Sequence, residues 1–307
     1  MTRRVRIGTR GSQLALWQAD ETARQLANAG IESELVVVRT TGDRRTDVSL
    51  ASIGGKGLFI KELEDALVRG EIDLAVHSLK DVPSLIPDQF ALAAFLERAD
   101  PRDAWVQPEG QALDQLPDGA VVGTSAPRRR AQLAARFPRL RIEDVRGNVD
   151  TRLAKARRGQ YAGLVLASAG LTRLGRADEI TAYFSVDEML PAAGQGIVAI
   201  ECLRANEDAL DVARTINNEA SEQAALCERG VLQAFGARLD CYSAIAVHAR
   251  FDDDDALNIR AFCGSLDGTR AIRVQRAGRD AQSLINAVHD ELVAQGAEEL
   301  LWREKST

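Results

Sequence analysis

"VGTSAPRRRA", residues 122–131, joins an apolar run to a basic one through Gly-Thr-Ser. "AVVGTS" (120–125) has the β-branched composition of a strand. Pro127 suits the first turn of a helix, where its missing N–H is not needed. The same grammar stands at "IGTRGSQLA" (7–15). There "RRVRIGT" (3–9) reads as a strand, and the helix that follows is opened by Ser12 and carries Leu16, Ala19, Ala23 and Leu26 at helical spacing. One device, strand then Gly-Thr then turn then helix start, is used twice, which suggests an internal duplication.

Working outward, each copy continues as alternating strands and helices. After the first come "ELVVVRT" (34–40), expected as a buried strand, and a helix with Phe59, Leu63 and Leu67 on one face that Gly70 ends. "IDLAVH" (72–77) is a further strand and runs into "SLKDVP". After the second copy come "LRIEDVR", the helix "VDTRLAKARRG" and the strand "GLVLAS". Such alternation predicts parallel sheets with helices on their faces. From about Asn218 the pattern changes to a helix over roughly 219–235, alternating runs (Leu257, Ile259, Ala261, Cys263; Ile272, Val274) and a last helix with Leu284, Val288 and Leu292. That is a smaller α+β unit with an antiparallel sheet.

Composition bounds the function. The chain has 307 residues, 45% hydrophobic and 27% charged, which is ordinary for a globular protein of two or three domains. No apolar run reaches bilayer length, and "MTRRVRIGTR" lacks the apolar core of a secretory signal. Cys202, Cys227, Cys241 and Cys263 have no metal-ligand spacing, and there are only three histidines, so neither a disulfide framework nor a metal site is expected. The reading is a reduced, cytoplasmic protein.

Charge is distributed unevenly. From Gly123 to Arg158 eleven Lys/Arg stand against three Asp/Glu, a local balance of +8 (11 − 3) in a chain of formal charge −6. Parallel sheets bind ligands at the carboxyl ends of their strands, where helix N-termini present N–H groups. Arg10, Ser12, Ser78, Lys80, Asp81, Ser125, Arg128 and Arg129 arrive there and can line one cleft between two domains. Arg146 ends another strand and Arg152 lies one turn into the next helix. Guanidinium groups converging on such a crevice suit carboxylates or phosphates, which they bind bidentately. Arg130, Arg136, Arg139, Arg157 and Arg158 read instead as solvated helix faces. A nucleic-acid binder would interleave aromatics, which make up only 5% of the chain. A cytosolic anion sensor remains open on pattern alone.

The motifs "IGTRGSQLALWQA", "GGKGLFIKELEDALVRGEIDLAVHSLKDVP", "ERADPRDAWV", "GTSAPRRRAQL", "VRGNVDTRL", "LASAGLTRLG" and "LPAAGQGIVAIEC", in this order, resemble the porphobilinogen deaminase (hydroxymethylbilane synthase) family over nearly the whole chain. The resemblance implies two doubly wound, periplasmic-binding-protein-like α/β lobes plus a small α+β C-terminal domain with a three-stranded antiparallel sheet. It places domain 1 at 1–99 and 197–217, domain 2 at 100–196 and domain 3 at 218–307. It implies condensation of four porphobilinogen molecules, with loss of ammonia, on a dipyrromethane cofactor held by a thioether. Matching positions make Arg10, Ser12, Lys56, Ser78, Ser125, Arg128, Arg129, Arg146, Arg152, Arg173 and Gln195 the substrate and cofactor contacts, with Asp81 and Lys80 catalytic. The attachment cysteine is Cys241, before "AIAVHA". Its surroundings depart from the family: Leu239-Asp240 replace two glycines and Ala244 stands where a proline is expected. Ala126-Pro127 replace a serine and a leucine. Cys227, Cys202 and Cys263 read as core. No nucleic acid, membrane or metal partner is expected, and a monomer is. The connection 41–55 is long and polar enough to act as a lid.

Overall fold

The computed structural model describes residues 4–38, 58–239, 242–252 and 256–301. The connection 41–55, Lys56 and Cys241 lie outside the described residues. Contacts divide the chain into two compact units, Met1–Ala99 with Gly196–Ala225, and Asp100–Gln195 with Leu226–Thr307.

The first unit opens with β1 (Val5–Thr9), α1 (Gln13–Asn28), β2 (Ser33–Val37), α2 (Leu58–Val68), β3 (Leu74–Ser78) and β4 (Phe90–Phe95). Ser12 caps α1 as expected, its Oγ accepting from the Ala15 N–H at 3.3 Å. The helix after "GGKG" stops where Gly70 turns left-handed at φ 66°. β2 is not the buried strand expected from its β-branched run. Among the described residues it is an edge strand paired with β1 alone, and its Val37 is 52% exposed. Composition cannot distinguish an edge from a centre, because that depends on which strands arrive later in the chain.

In the second unit β5 (Asp103–Val106) and β6 (Val121–Gly123) lead into α3 (Pro127–Arg136). Then follow β7 (Arg141–Glu143), α4 (Val149–Arg157), β8 (Gly163–Ala167), α5 (Ser168–Arg173) and β9 (Ala182–Tyr183). The chain re-enters the first unit with β10 (Val198–Leu203) and α6 (Glu207–Arg214). α7 (Glu219–Ala234) contains the division between the units.

The two five-stranded sheets have the orders β2-β1-β3-β10-β4 and β7-β6-β8-β5-β9. They are one pattern twice, with β6, β7, β8, β5 and β9 standing for β1, β2, β3, β10 and β4. The suspected duplication is therefore visible as topology. Gly8 and Gly123 fall at matching sites, and a Cβ would meet Ile72 Cδ1 at 2.2 Å in the first sheet and Leu164 Cδ2 at 2.6 Å in the second. The sheets are mixed rather than purely parallel, because β10 runs antiparallel to both β3 and β4, and β5 to both β8 and β9. The reason is connectivity. The outgoing chain after β4 and the incoming chain before β10 lie side by side, with the Ala99 N–H donating to the Gly196 carbonyl at 3.1 Å, so they must point in opposite directions.

Both faces of each sheet are covered. Ile7, Leu74, Val198 and Ile200 pack with Ala19 and Leu26 of α1 and Ala209 and Ala213 of α6, while Ala75 and Phe90 pack on Leu63 and Leu67 of α2. In the second unit Val122, Val165 and Trp105 pack with Leu133 of α3, and Leu164 and Leu166 with Leu153 of α4. The remaining sheet is an antiparallel β11 (Ile245–Phe251), β12 (Leu257–Gly264) and β13 (Ala271–Gly278), followed by α8 (Ala281–Ala294) and α9 (Ala297–Leu301). It groups with the second unit because Ala244, Ala246 and Phe262 pack on Ala131 of α3 and on Leu190. β13 alternates as expected, but central β12 is buried along nearly its whole length.

Candidate functional site

In the first unit the expected residues gather at the carboxyl ends of β1 and β3. The turn from β1 into α1 is fixed by Thr9, fully buried, whose hydroxyl lies 3.0 Å from the Ala15 carbonyl. Half-buried Arg10 and the Ser12 cap therefore leave the strand on a determined path. Gln18 of α1 donates to Ser78 Oγ at 2.7 Å, tying the helix to the end of β3. Residues Leu79–Asp81 then form one 3-10 turn. Leu79 and Val82 are buried on either side of it, packing with Ile60, Phe95 and Ile197, and the Leu79 N–H donates to the Ile197 carbonyl at 3.0 Å. These two apolar anchors hold half-buried Lys80 and exposed Asp81 at the strand end.

In the second unit Arg128 and Arg129 are brought together with Gln195, and all three are buried. Their common partner is Asp103, also fully buried, at the start of β5. Arg128 Nη1 donates to Asp103 Oδ2 at 2.6 Å and to the Leu190 carbonyl at 2.9 Å, and its Nη2 donates to Asp103 Oδ1 at 3.1 Å and Gln195 Oε1 at 2.9 Å. Arg129 donates to Asp103 Oδ1 through Nε at 3.0 Å and Nη2 at 2.8 Å, and to the Val165 carbonyl through Nη1 at 3.1 Å. Gln195 Nε2 donates to Asp103 Oδ1 at 2.8 Å and to the Pro101 carbonyl at 2.7 Å.

Two guanidiniums around one carboxylate leave this cluster one positive charge in excess. Although burial alone would raise the Asp103 carboxyl, the two arginines outweigh it and hold the group well below the usual carboxylate range. Burial pulls Arg129 down to about 10, against the attraction of Asp103, and the like charges of Arg128 and Arg152 pull the same way. At neutral pH Asp103 and Arg129 are both ionised.

The same unit contributes two helix starts and one helix end. α3 begins at Pro127 with Ala126 as its cap residue, which supplies no side-chain hydrogen bond, and Ser125 beside it is exposed. Asn148 caps α4, its Oδ1 accepting from the Thr151 N–H at 2.9 Å. Gly147 precedes it at φ 107°, where a Cβ would meet Thr151 Cγ2 at 2.6 Å. Arg146 is exposed, Arg152 donates through Nε to the Gly147 carbonyl at 2.8 Å, and half-buried Arg173 closes α5. The donor set here is guanidinium and hydroxyl, which fits carboxylates. Among the described residues no group of His, Cys, Asp or Glu is arranged to hold a metal ion.

Sequence reading missed Asp103. Its signal was an aspartate heading the apolar strand "DAWV", a place where a charge survives only with a cation beside it. It also missed the buried pair His77–Glu201, Nε2 to Oε2 at 2.9 Å, between β3 and β10. The three described cysteines are buried. Burial pushes Cys202 and Cys227 up to about 11 and Cys263 up to about 12, so none is a thiolate at neutral pH.

Comparison with known proteins bears on what this donor set meets. Residues 5–211 match the family model described as porphobilinogen deaminase, dipyromethane cofactor binding domain. The chain belongs to the porphobilinogen deaminase family. A porphobilinogen deaminase of Burkholderia thailandensis is 46% identical over 299 residues, covering 95% of this chain and 90% of the relative. One of Geobacter sulfurreducens is 43% identical over 302 residues, 97% and 94% of the two chains. Among solved structures the methionine-binding protein MetQ is similar at 15% identity and a TM-score of 0.45, over 72% of this chain and 90% of that one.

Proposed function

We propose that this chain is a hydroxymethylbilane synthase, a transferase that joins four porphobilinogen molecules head to tail with release of ammonia and forms the linear tetrapyrrole precursor. The observation that carries the reading is the Arg128–Arg129–Asp103–Gln195 cluster, which lies within the stretch matched by the family model and keeps one positive charge in excess. Porphobilinogen bears an acetate and a propionate on each ring, so a chain of such rings is a chain of carboxylates. Arg129, Arg146, Arg152, Arg173, Ser125 and Gln195 are proposed to grip them from the second unit, and Arg10, Ser12, Lys56 and Ser78 from the first. Each charge-assisted bond contributes about 1.5–3 kcal/mol.

The dipyrromethane cofactor, when bound, supplies the nucleophilic pyrrole position at which condensation begins. The second unit's donors fit its carboxylates. Asp81 is proposed to act on the substrate. When ammonia leaves the aminomethyl carbon, the pyrrole nitrogen lone pair delocalises into the ring and a cation remains. A carboxylate held at a strand end by Leu79 and Val82 can hydrogen-bond the ring N–H and offset that charge. Lys80 beside it is proposed to bind a substrate carboxylate. Cys241 is proposed as the thioether attachment point, supported by the raised pKa of the three described cysteines. Residues 218–307 are proposed as the domain that carries it. The reading takes the chain as a cytoplasmic monomer that needs neither nucleic acid nor membrane. Among the described residues no helix is long and apolar enough to cross a membrane.

Intact-protein mass spectrometry tests the reading together with an ammonia-release assay. The expected result is a covalent adduct of two pyrrole rings, lost in Cys241→Ser, with ammonia released from porphobilinogen by the wild type. Reversible binding of porphobilinogen without ammonia release would overturn it.

A further inference from the structure

Asp103 accepts five charge-assisted bonds or equivalents in one buried place: two from Arg128, two from Arg129 and one from Gln195. Such a carboxylate determines how both guanidiniums lie. The two arginines are not used alike. A guanidinium has five N–H donors. Arg128 directs four of them to protein acceptors: both oxygens of Asp103, Gln195 Oε1 and the Leu190 carbonyl. Arg129 directs three, two to Asp103 and one to the Val165 carbonyl.

Other bonds hold Arg128 from behind. Its own carbonyl accepts from Gln132 Nε2 at 3.2 Å, and the same nitrogen lies 3.2 Å from the Leu190 carbonyl that Arg128 Nη1 meets. The Leu190 N–H returns a bond to Gln132 Oε1 at 2.8 Å. Leu190 and Arg128 are thereby locked to one another. Among the described residues Arg129 has no such second lock, and the like charge of Arg152 reaches it.

We infer that Asp103 is the positioning residue of the site. It fixes Arg128 as internal scaffolding and sets Arg129, with its two remaining N–H donors and the cluster's excess positive charge, to receive a ligand carboxylate. This rests on the reading of the second unit as carboxylate-binding. It adds a division of labour between adjacent arginines and a residue that never touches substrate. Removing the charge of Asp103 would leave two buried guanidiniums repelling one another. An asparagine there would also turn its own NH₂ against one of them. Arg129 would then shift away from its set position.

The test uses the full chain, each preparation checked by intact mass for the two-ring adduct and by thermal melting for folding. D103N should raise the KM for porphobilinogen about tenfold to a hundredfold, the equivalent of one charge-assisted bond, with kcat changed less. D103E, which keeps the charge one methylene away, should recover part of that loss. R129Q should raise KM strongly, whereas R128Q should lower the melting temperature with a smaller rise in KM. A folded D103N with wild-type KM would overturn the inference, as would D103E no better than D103N. Should D103N be recovered unfolded, the arginine pair decides, and equal rises in KM for R128Q and R129Q would overturn it. Wild-type chain that releases no ammonia would sink the functional reading instead. Wild-type turnover beside an unaffected D103N sinks only the positioning role.

Discussion

The carboxyl end of β1 and the carboxyl end of β6 are the same place in two copies of one sheet, yet they are finished differently. At β1 three neutral side chains fix the turn. Thr9 closes on Ala15, Ser12 caps α1, and Gln18 reaches Ser78. At β6 the corresponding helix has no side-chain cap, and the side chains that gather there are two arginines, an aspartate and a glutamine. Among the described residues, the first end carries an exposed carboxylate, Asp81, at the turn after β3, and the second buries an excess of positive charge. A duplicated scaffold thus supports two chemistries, because topology fixes where strand ends lie while side chains decide what they attract. The proposed division gives the first unit the carboxylate that offsets a transient cation and the second unit the grip on carboxylates.

The sharpest way to break that division is Asp81→Asn. It removes a charge without altering the turn, so kcat should fall by about 10²–10⁴-fold, the range for positioned acid–base groups, with KM little changed. Ammonia release measures it, and near-normal kcat would take the chemistry away from the first unit. Asp103 offers the next test, through acid. Its native pKa is depressed, so the stability it contributes is present above its unfolded value of about 3.9. It is lost as the pH falls from there through the native value. Acid unfolding should therefore be less steep below about pH 4 in D103N than in the wild type. Equal slopes would deny that the second unit's charge cluster differs from the first unit's neutral contacts.

A smaller effect separates the two sheets by packing. In the second, a Cβ at Gly163 would meet the ring of Trp105 at 2.2 Å, and that indole is 1% exposed and tied through Nε1 to the Gln111 carbonyl at 2.9 Å. In the first, a Cβ at Gly8 would meet the terminal methyl of Ile72, which can rotate. Gly163→Ala should cost about 1–3 kcal/mol, as overpacking does, and Gly8→Ala less, by denaturant melts. Smallest is the exchange of caps. Ser12→Ala should lose, and Ala126→Ser gain, about 0.5–2 kcal/mol each. Melting temperatures moving in opposite directions would confirm that a cap hydroxyl serves one helix start and is missing from the other.

The Ala126 departure shows how sequence and structure divide the work. The family resemblance expects a serine there, and the place of Ala126 at the head of α3 makes the exchange a missing helix cap. The helices were legible because their apolar spacing, caps and stop glycines are local: Ser12, Pro127 and Gly70 each do what their chemistry predicts. The strands β4, β5, β9, β10 and β11 were not read from pattern, being short or not plainly alternating. The basic character of 123–158 and the pairing of the two Gly-Thr turns were likewise in the linear chain.

By itself the sequence determined fold class, family and the residue types available for binding, since periodicity and ordered motifs are properties of neighbours along the chain. Only the tertiary structure decided that β2 is an edge, that both sheets are mixed, and that Arg128 and Arg129 meet Asp103. The physical reason is the same in each case. A strand's neighbours and a buried charge's counter-charge are supplied by residues far away in sequence, as Asp103 is 25 positions from Arg128 and Gln195 is 67, and no local pattern encodes which of them will arrive.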